Sequence, residues 1–252
     1  MPAPLDLGLG AAQPRAIVFD VDGTLYRQGG VRRGMLLRLV RAHAGRPAEG
    51  VRTLRALRAY RRAQEHLRPA GGVARAEPDD GGRPAGLGPD GQLRLACEWT
   101  GLTPDVVGAC VERWMEREPL DLVARGTRAG LADFLEACAA RGVRLGVLSD
   151  YPPGPKLAAM GIERFFSVAV CAQDPDVRAF KPDPRGIEVA LARLGVTRRD
   201  ALYVGDRPEV DAAAARRAGV QCVIIGRRDA VHPGGWTEVS GYPALRDALF
   251  PA

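Results

Sequence analysis

Two aspartates one residue apart, Asp20 and Asp22, close an apolar run in AIVFDVDGTLY, residues 16–26. Alternation along an extended segment puts both side chains on one side, and Gly23 lets the chain turn sharply after them. Two close carboxylates repel, and one is driven toward protonation unless a cation compensates. Asp206 closes another apolar run, ALYVGD, so three carboxylates can converge. Such a set suits Mg²⁺, which takes a few carboxylate oxygens, several waters and phosphate oxygens. Lys181, in FKPDP, can bring a fixed positive charge to the same place. Thr24 and Ser149 offer hydroxyls, and the turns offer backbone N–H groups, for a phosphate. The chemistry these groups can do together is phosphoryl transfer, which proceeds mainly through positioning and charge neutralisation. A carboxylate beside the metal can also serve as a covalent nucleophile.

These residues need elements that deliver them to one place. AIVFD is the first of five apolar runs that read as strands; VRLGVLSD, FSVAVCA, ALYVGD and QCVIIG are the others. Between the last four lie helical patterns, PGPKLAAMGI, DPRGIEVALARLG and PEVDAAAARRAG, and TRAGLADFLEACAARG precedes VRLGVLSD. Strands separated by helices imply a parallel sheet covered on both faces, a Rossmann-like α/β fold, with ligands at the carboxyl ends of its strands. Asp20, Ser149 and Asp206 all fall at such ends.

The alternation disappears between Tyr26 and about Pro119. Residues 31–68 read as helical and strongly basic, with 11 arginines against Glu49 and Glu65. Residues 69–92 hold 11 glycines and prolines and read as a flexible loop. Residues 93–118 read as helical again, with Thr103 placed to cap a helix starting at Pro104. The expected organisation is an α/β core domain formed by 1–26 and 120–252, with a helical domain, 27–119, inserted into it.

DVDGTL at 20–25, Ser149 closing an apolar strand, Lys181 before a proline, and GDRPEVD at 205–211 resemble the four motifs of the haloacid dehalogenase superfamily, in the family's order. The resemblance covers roughly 14–26 and 120–228, and the insertion is similar in position to the helical cap of many of its phosphatases. It implies that Asp20 is a nucleophile forming an aspartyl-phosphate. Asp22 would protonate the leaving oxygen and then activate water. Mg²⁺ would sit between the Asp20 carboxylate, the Asp22 backbone carbonyl and Asp206, with Asp211 supporting its shell. Thr24 and Ser149 would hold phosphate oxygens, and Lys181 would pair with Asp20 and the transferring group. The implied activity is hydrolysis of a small phosphorylated metabolite. A phosphomutase and an inactive binding or regulatory protein are alternatives on the same scaffold, and a metal-independent dehalogenase is disfavoured by the acid at Asp22. Two departures stand out. Asp150 occupies a position where the family often has Asn, and the inserted segment contains no lysine for Schiff-base chemistry.

Composition bounds the remainder. The chain has 252 residues, 46 % apolar and 26 % charged, with a formal net charge of +6. That is ordinary for a soluble globular protein, and no apolar run approaches the roughly 20 residues of a membrane helix. MPAPLDLGLGAAQPR lacks the pattern of a secretory signal, so a cytoplasmic location is expected and a membrane partner is not. Five scattered cysteines without a CxxC pair read as buried free thiols. Lys156 and Lys181 are the sole lysines, and arginine supplies the other basic residues. Arg52, Arg55, Arg58 and Arg62 fall near helical spacing and read as a solvated helix face; nucleic acid is not an expected partner, because no aromatics interleave with the basic residues. No pattern encodes an oligomeric state.

Overall fold

The first strand, β1 (Ala16–Phe19), is buried along its whole length. Its period of two divides it between two cores. Ile17 and Phe19 pack with Phe134, Leu135 and Tyr242 on one face. Ala16 and Val18 pack with Leu148, Ile187 and Tyr203 on the other. A strand covered on both sides has to be apolar on both, which is why this run does not alternate. The computed structural model that shows this describes residues 13–68, 89–226 and 230–251. Most of the N-terminal stretch and residues 69–88 of the expected Gly/Pro loop lie outside the described residues.

Flanking β1 in parallel are β2 (Arg144–Ser149) and β4 (Ala201–Gly205), with Phe19 level with Val147 and Val204. Next to β2 lies β3 (Val168–Cys171), and next to β4 lies β5 (Gln221–Ile225). The five expected strands are therefore present and parallel. Two more extend the sheet: β7 (Trp236–Val239) pairs in parallel with β5, and β6 (Ala230–His232) pairs antiparallel with β7. The order is β3-β2-β1-β4-β5-β7-β6. The added pair escapes the sequence pattern because three and four residues are too few to show alternation, and the Pro-Gly-Gly between them reads as loop.

Between β1 and β2 the chain is helical. It forms α1 (Gln28–Ala42), α2 (Pro47–Leu67), α3 (Pro89–Thr100), α4 (Pro104–Val111), a π-helical turn (Glu112–Arg117) and α5 (Leu120–Arg125). The basic stretch 31–68 is helical as expected and forms two helices, broken ahead of Pro47, which occupies the first turn of α2. Residues 89–92 belong to α3 and not to the loop expected there. Thr103 precedes α4 in extended backbone, but its side chain makes no capping bond. The insertion has its own core of Ala56, Ala59, Tyr60, Ala96, Val107 and Val111. Its two ends meet where Tyr26 bridges Thr127.

The helices that cover the sheet follow. On the Phe19 face lie α6 (Leu131–Ala140), α7 (Gly154–Ala159) and α10 (Tyr242–Leu249). On the Val18 face lie α8 (Arg185–Leu194) and α9 (Ala213–Ala218). Gly195 ends α8 in the left-handed region at φ 63°, as its position after the last apolar residue predicts. A π-helical turn (Pro208–Ala212) precedes α9, where one continuous helix was expected. All five cysteines are free; Cys138, Cys171 and Cys222 are buried, and Cys97 and Cys110 are half-buried. Among the described residues no helix is long and apolar enough to cross a membrane.

Candidate active site

Because β1, β2 and β4 are adjacent and parallel, the residues just past their ends share one edge of the sheet. Asp20 follows β1 and is tied to β4 by its own N–H, which donates to the Val204 carbonyl at 2.8 Å. Its side chain is buried. Lys181 Nζ donates to Asp20 Oδ1 at 2.5 Å, and Thr24 Oγ1 donates to Asp20 Oδ2 at 2.8 Å. Lys181 also donates to Asp211 Oδ1 at 2.7 Å and to the Tyr203 hydroxyl oxygen at 3.2 Å. Asp211 Oδ2 in turn accepts from the backbone N–H groups of Asp206 and Arg207, at 3.2 and 3.0 Å. Asp211 thus braces the lysine with one oxygen and the Asp206 turn with the other.

The charges do not balance. Oxygens of Asp20, Asp206 and Asp211 lie within 4.8 Å of one another, facing the single ammonium of Lys181. Burial, and then the neighbouring carboxylates of Asp211, Asp206 and Asp22, hold the Asp20 carboxyl well above its ordinary range against the pull of Lys181. Burial and Asp211 push Asp206 up to about 6. Burial disfavours the charge of Lys181, but Asp20 and Asp211 outweigh it and keep the lysine cationic. Asp206 Oδ1 is buried without a hydrogen-bond partner. An orphaned carboxylate oxygen in a cluster with surplus negative charge fits a hard divalent cation. Gly23 makes the approach possible: its φ is +102°, and a Cβ there would lie 2.1 Å from Asp206 Oδ2.

Asp22 is held differently. Lys156 Nζ donates to both of its oxygens, at 2.6 and 2.7 Å, and the Tyr26 hydroxyl donates to Oδ1. Burial raises the Asp22 carboxyl, yet Lys156 and Tyr26 together bring it below the usual carboxylate value. Lys156 is buried on α7, and no spacing in the sequence connects it with a residue 134 positions earlier. Its one sequence signal is rarity, as one of two lysines.

Asp150, the departure after Ser149, is paired: Arg68 donates to its Oδ2 at 2.7 Å and also to the Lys181 carbonyl. Arg68 follows α2, so one guanidinium fastens the insertion to two of the motif loops. The DVDGT turn is held from outside by Arg128, which donates to the Gly23 carbonyl at 2.6 and 3.0 Å, and by the Tyr242 hydroxyl, which donates to the Thr24 carbonyl at 3.1 Å. Sequence reading missed Lys156, Arg68, Arg128, Tyr203 and Tyr242 as parts of this site. Ser149 closes β2, fully buried, with its Oγ accepting from the Tyr151 N–H at 3.3 Å. A cavity of about 400 Å³ opens between the sheet edge and the insertion, reaching Asp20, Asp22, Lys156, Lys181, Asp206 and Asp211; Thr24 and Ser149 do not line it.

Known proteins resemble this chain in sequence and fold. A family model for the haloacid dehalogenase-like hydrolases matches residues 14–219. A phosphoglycolate phosphatase of Pseudomonas putida is 30 % identical over 224 residues, covering 83 % of this chain and 68 % of its own. A phosphoserine phosphatase of Thermus thermophilus is 35 % identical over 97 residues, 37 % of this chain and 38 % of its own length. The solved structure of a HAD phosphatase from Thermococcus onnurineus is similar in fold, with a TM-score of 0.59 at 20 % identity over 93 % of this chain and 97 % of that one.

A raised Asp206 has a measurable consequence. A carboxyl whose folded value lies above its unfolded one stabilises the fold at low pH, and that contribution is lost as pH rises through about 6. A divalent cation needs the ionised form, so metal binding and protonation compete. Mg²⁺ is expected to raise the melting temperature more at about pH 7.5 than at about pH 5. Equal shifts at both pH values, or none, would contradict a metal site at Asp206.

Proposed function

Since the chain belongs to the haloacid dehalogenase-like hydrolases, as the match over residues 14–219 shows, we propose that it is a Mg²⁺-dependent phosphatase that passes the phosphoryl group of a small phosphorylated metabolite through Asp20. The observation that carries this reading is the Lys181 ammonium, 2.5 Å from Asp20 Oδ1 and 2.7 Å from Asp211 Oδ1, beside the orphaned oxygen of Asp206. It leaves a buried carboxylate fixed beside a cation at the floor of a cavity.

Each residue has a task that follows from its partners. Thr24 and Lys181 each engage one Asp20 oxygen and orient the carboxylate for attack on phosphorus. The lysine also offers its positive charge to the transferring group. Asp20, Asp206 and the Asp22 backbone carbonyl would hold Mg²⁺, with Asp211 behind them. The ion would supply neutralisation of the charge on the phosphate oxygens. Ser149, at the same sheet edge, is assigned to a phosphate oxygen once substrate and insertion close. Residues 27–119 act as the cap, with Arg68 as its fastening, and closure excludes bulk water.

Asp22 is the proposed acid and base. Paired with Lys156 it is ionised, the form that takes a proton from water when the aspartyl-phosphate is hydrolysed. A phosphate dianion arriving beside Lys156 competes for its ammonium and favours protonation of Asp22, the form that supplies a proton to the leaving oxygen. Five free cysteines fit the reducing compartment of a cytoplasmic enzyme.

Phosphate release from p-nitrophenyl phosphate and alkyl phosphates, with and without Mg²⁺, tests the reading. Asp20→Asn is expected to lose at least about a thousandfold in kcat; wild-type rates in this variant would sink it. Lys156→Met is expected to lower kcat on alkyl phosphates by roughly tenfold, with a smaller loss on the nitrophenyl ester, whose leaving group needs no proton. Equal losses on both esters would separate Lys156 from the positioning of Asp22.

A further inference from the structure

We propose that the substrate's alcohol is an extended, mainly apolar group of about six carbons or more, a statement that rests on the phosphatase reading and concerns the half of the ester that the carboxylates do not touch. The cavity has two unlike ends. Its floor is the carboxylate cluster, and the insertion lines it with Met35, Leu36, Leu39, Leu54, Leu57 and Met115, interspersed with arginines and Glu116.

Met115 packs against the insertion's own core and Met35 against the core beside β1, whereas the four leucines belong to neither. With about 100° between successive helical residues, α2 turns Ala56, Ala59 and Tyr60 to one side, where they pack with α3 and α4. Leu54 falls on the opposite side and Leu57 on the flank between, and both line the cavity. α1 contacts α2 far less than α3 does, so the apolar side chains of α1 are not buried against it. Leu36 is 58 % exposed, and Met35, Leu39, Leu54, Leu57 and Met115 are each half-buried. Arg58 and Arg61 flank this wall with no carboxylate partner among the described residues; they suit the negative charge of an incoming ester and leave the leucines to its hydrocarbon.

Size agrees with this assignment. The whole space, carboxylate floor included, is about 400 Å³, and a dry apolar cavity of about 150 Å³ already holds a benzene ring. A two-carbon hydroxy acid would leave the leucine wall bare. A hydrocarbon continuous with the phosphoryl group would cover it, and each methylene so buried is worth about fourfold in affinity.

The test uses the full chain with Mg²⁺ and phosphate esters of unactivated primary alcohols, so that the leaving-group chemistry stays constant: phosphoglycolate, ethyl phosphate, hexyl phosphate and 2-phenylethyl phosphate. We expect kcat/KM to rise at least about thirtyfold from ethyl to hexyl phosphate. Leu57→Asn should reduce that ratio by roughly tenfold. Calorimetric binding of the same esters to Asp20→Asn, which needs no turnover and no altered wall, should show the same ranking. If phosphoglycolate or ethyl phosphate is turned over as well as hexyl phosphate, this inference falls and the phosphatase reading stands. If no ester releases phosphate, the phosphatase reading falls, and the binding series still decides the apolar wall: flat affinities with chain length would overturn it.

Discussion

One buried ammonium group organises the sheet edge. Lys181 Nζ lies between Asp20 and Asp211, with Tyr203 beneath it, and is itself 3 % exposed. Taking one cation and two anions out of water is costly, and the arrangement holds because every contact is a charge-assisted hydrogen bond. Without the lysine, three carboxylates would crowd an apolar strand end and at least one would protonate. With it, the cluster stays compact, ordered and short of positive charge. That shortage is what a divalent ion and then a phosphate ester can exploit. The same contact fixes where the loop after β3 must run, because Lys181 has to reach across from it to β1.

Much of this was legible beforehand, for identifiable physical reasons. Strands buried on both faces are continuous apolar runs, so β1 to β5 stand out, and with them the acids that close β1 and β4. Asp206 could be placed beside Asp20 because parallel strands end at the same edge. The short β6–β7 pair could not be found, because its few residues show no period. Lys156 was equally hidden: it meets Asp22 only after α7 packs beneath the loop, and distance along the chain carries no trace of that contact. Asp150 illustrates the opposite case. A further acid beside a phosphate site demands a partner on elementary grounds, but the identity of that partner, Arg68, emerges only when the insertion is folded back over the core.

The insertion and the core divide the work in a way the residues explain. Core positions are constrained by charge: Asp20, Asp22 and Asp211 each have a named donor, Asp206 keeps an orphaned oxygen, and Gly23 allows no side chain. Insertion positions near the cavity are constrained by little beyond apolarity, since their helices are already held by Ala56, Ala59 and Tyr60 packing elsewhere. The motif residues are therefore legible in sequence, whereas the apolar lining of the cavity is assembled from three separate segments.

The central claim is that the Asp20 carboxylate accepts the phosphoryl group. Acid quenching of the wild-type protein during turnover, followed by digestion and mass spectrometry, tests it most directly. The account predicts a phosphorylated peptide containing residues 16–26, with the acid-stable, base-labile modification on Asp20. Steady phosphate release with no phosphorylated protein at any quench time, or with the modification on another residue, would contradict it.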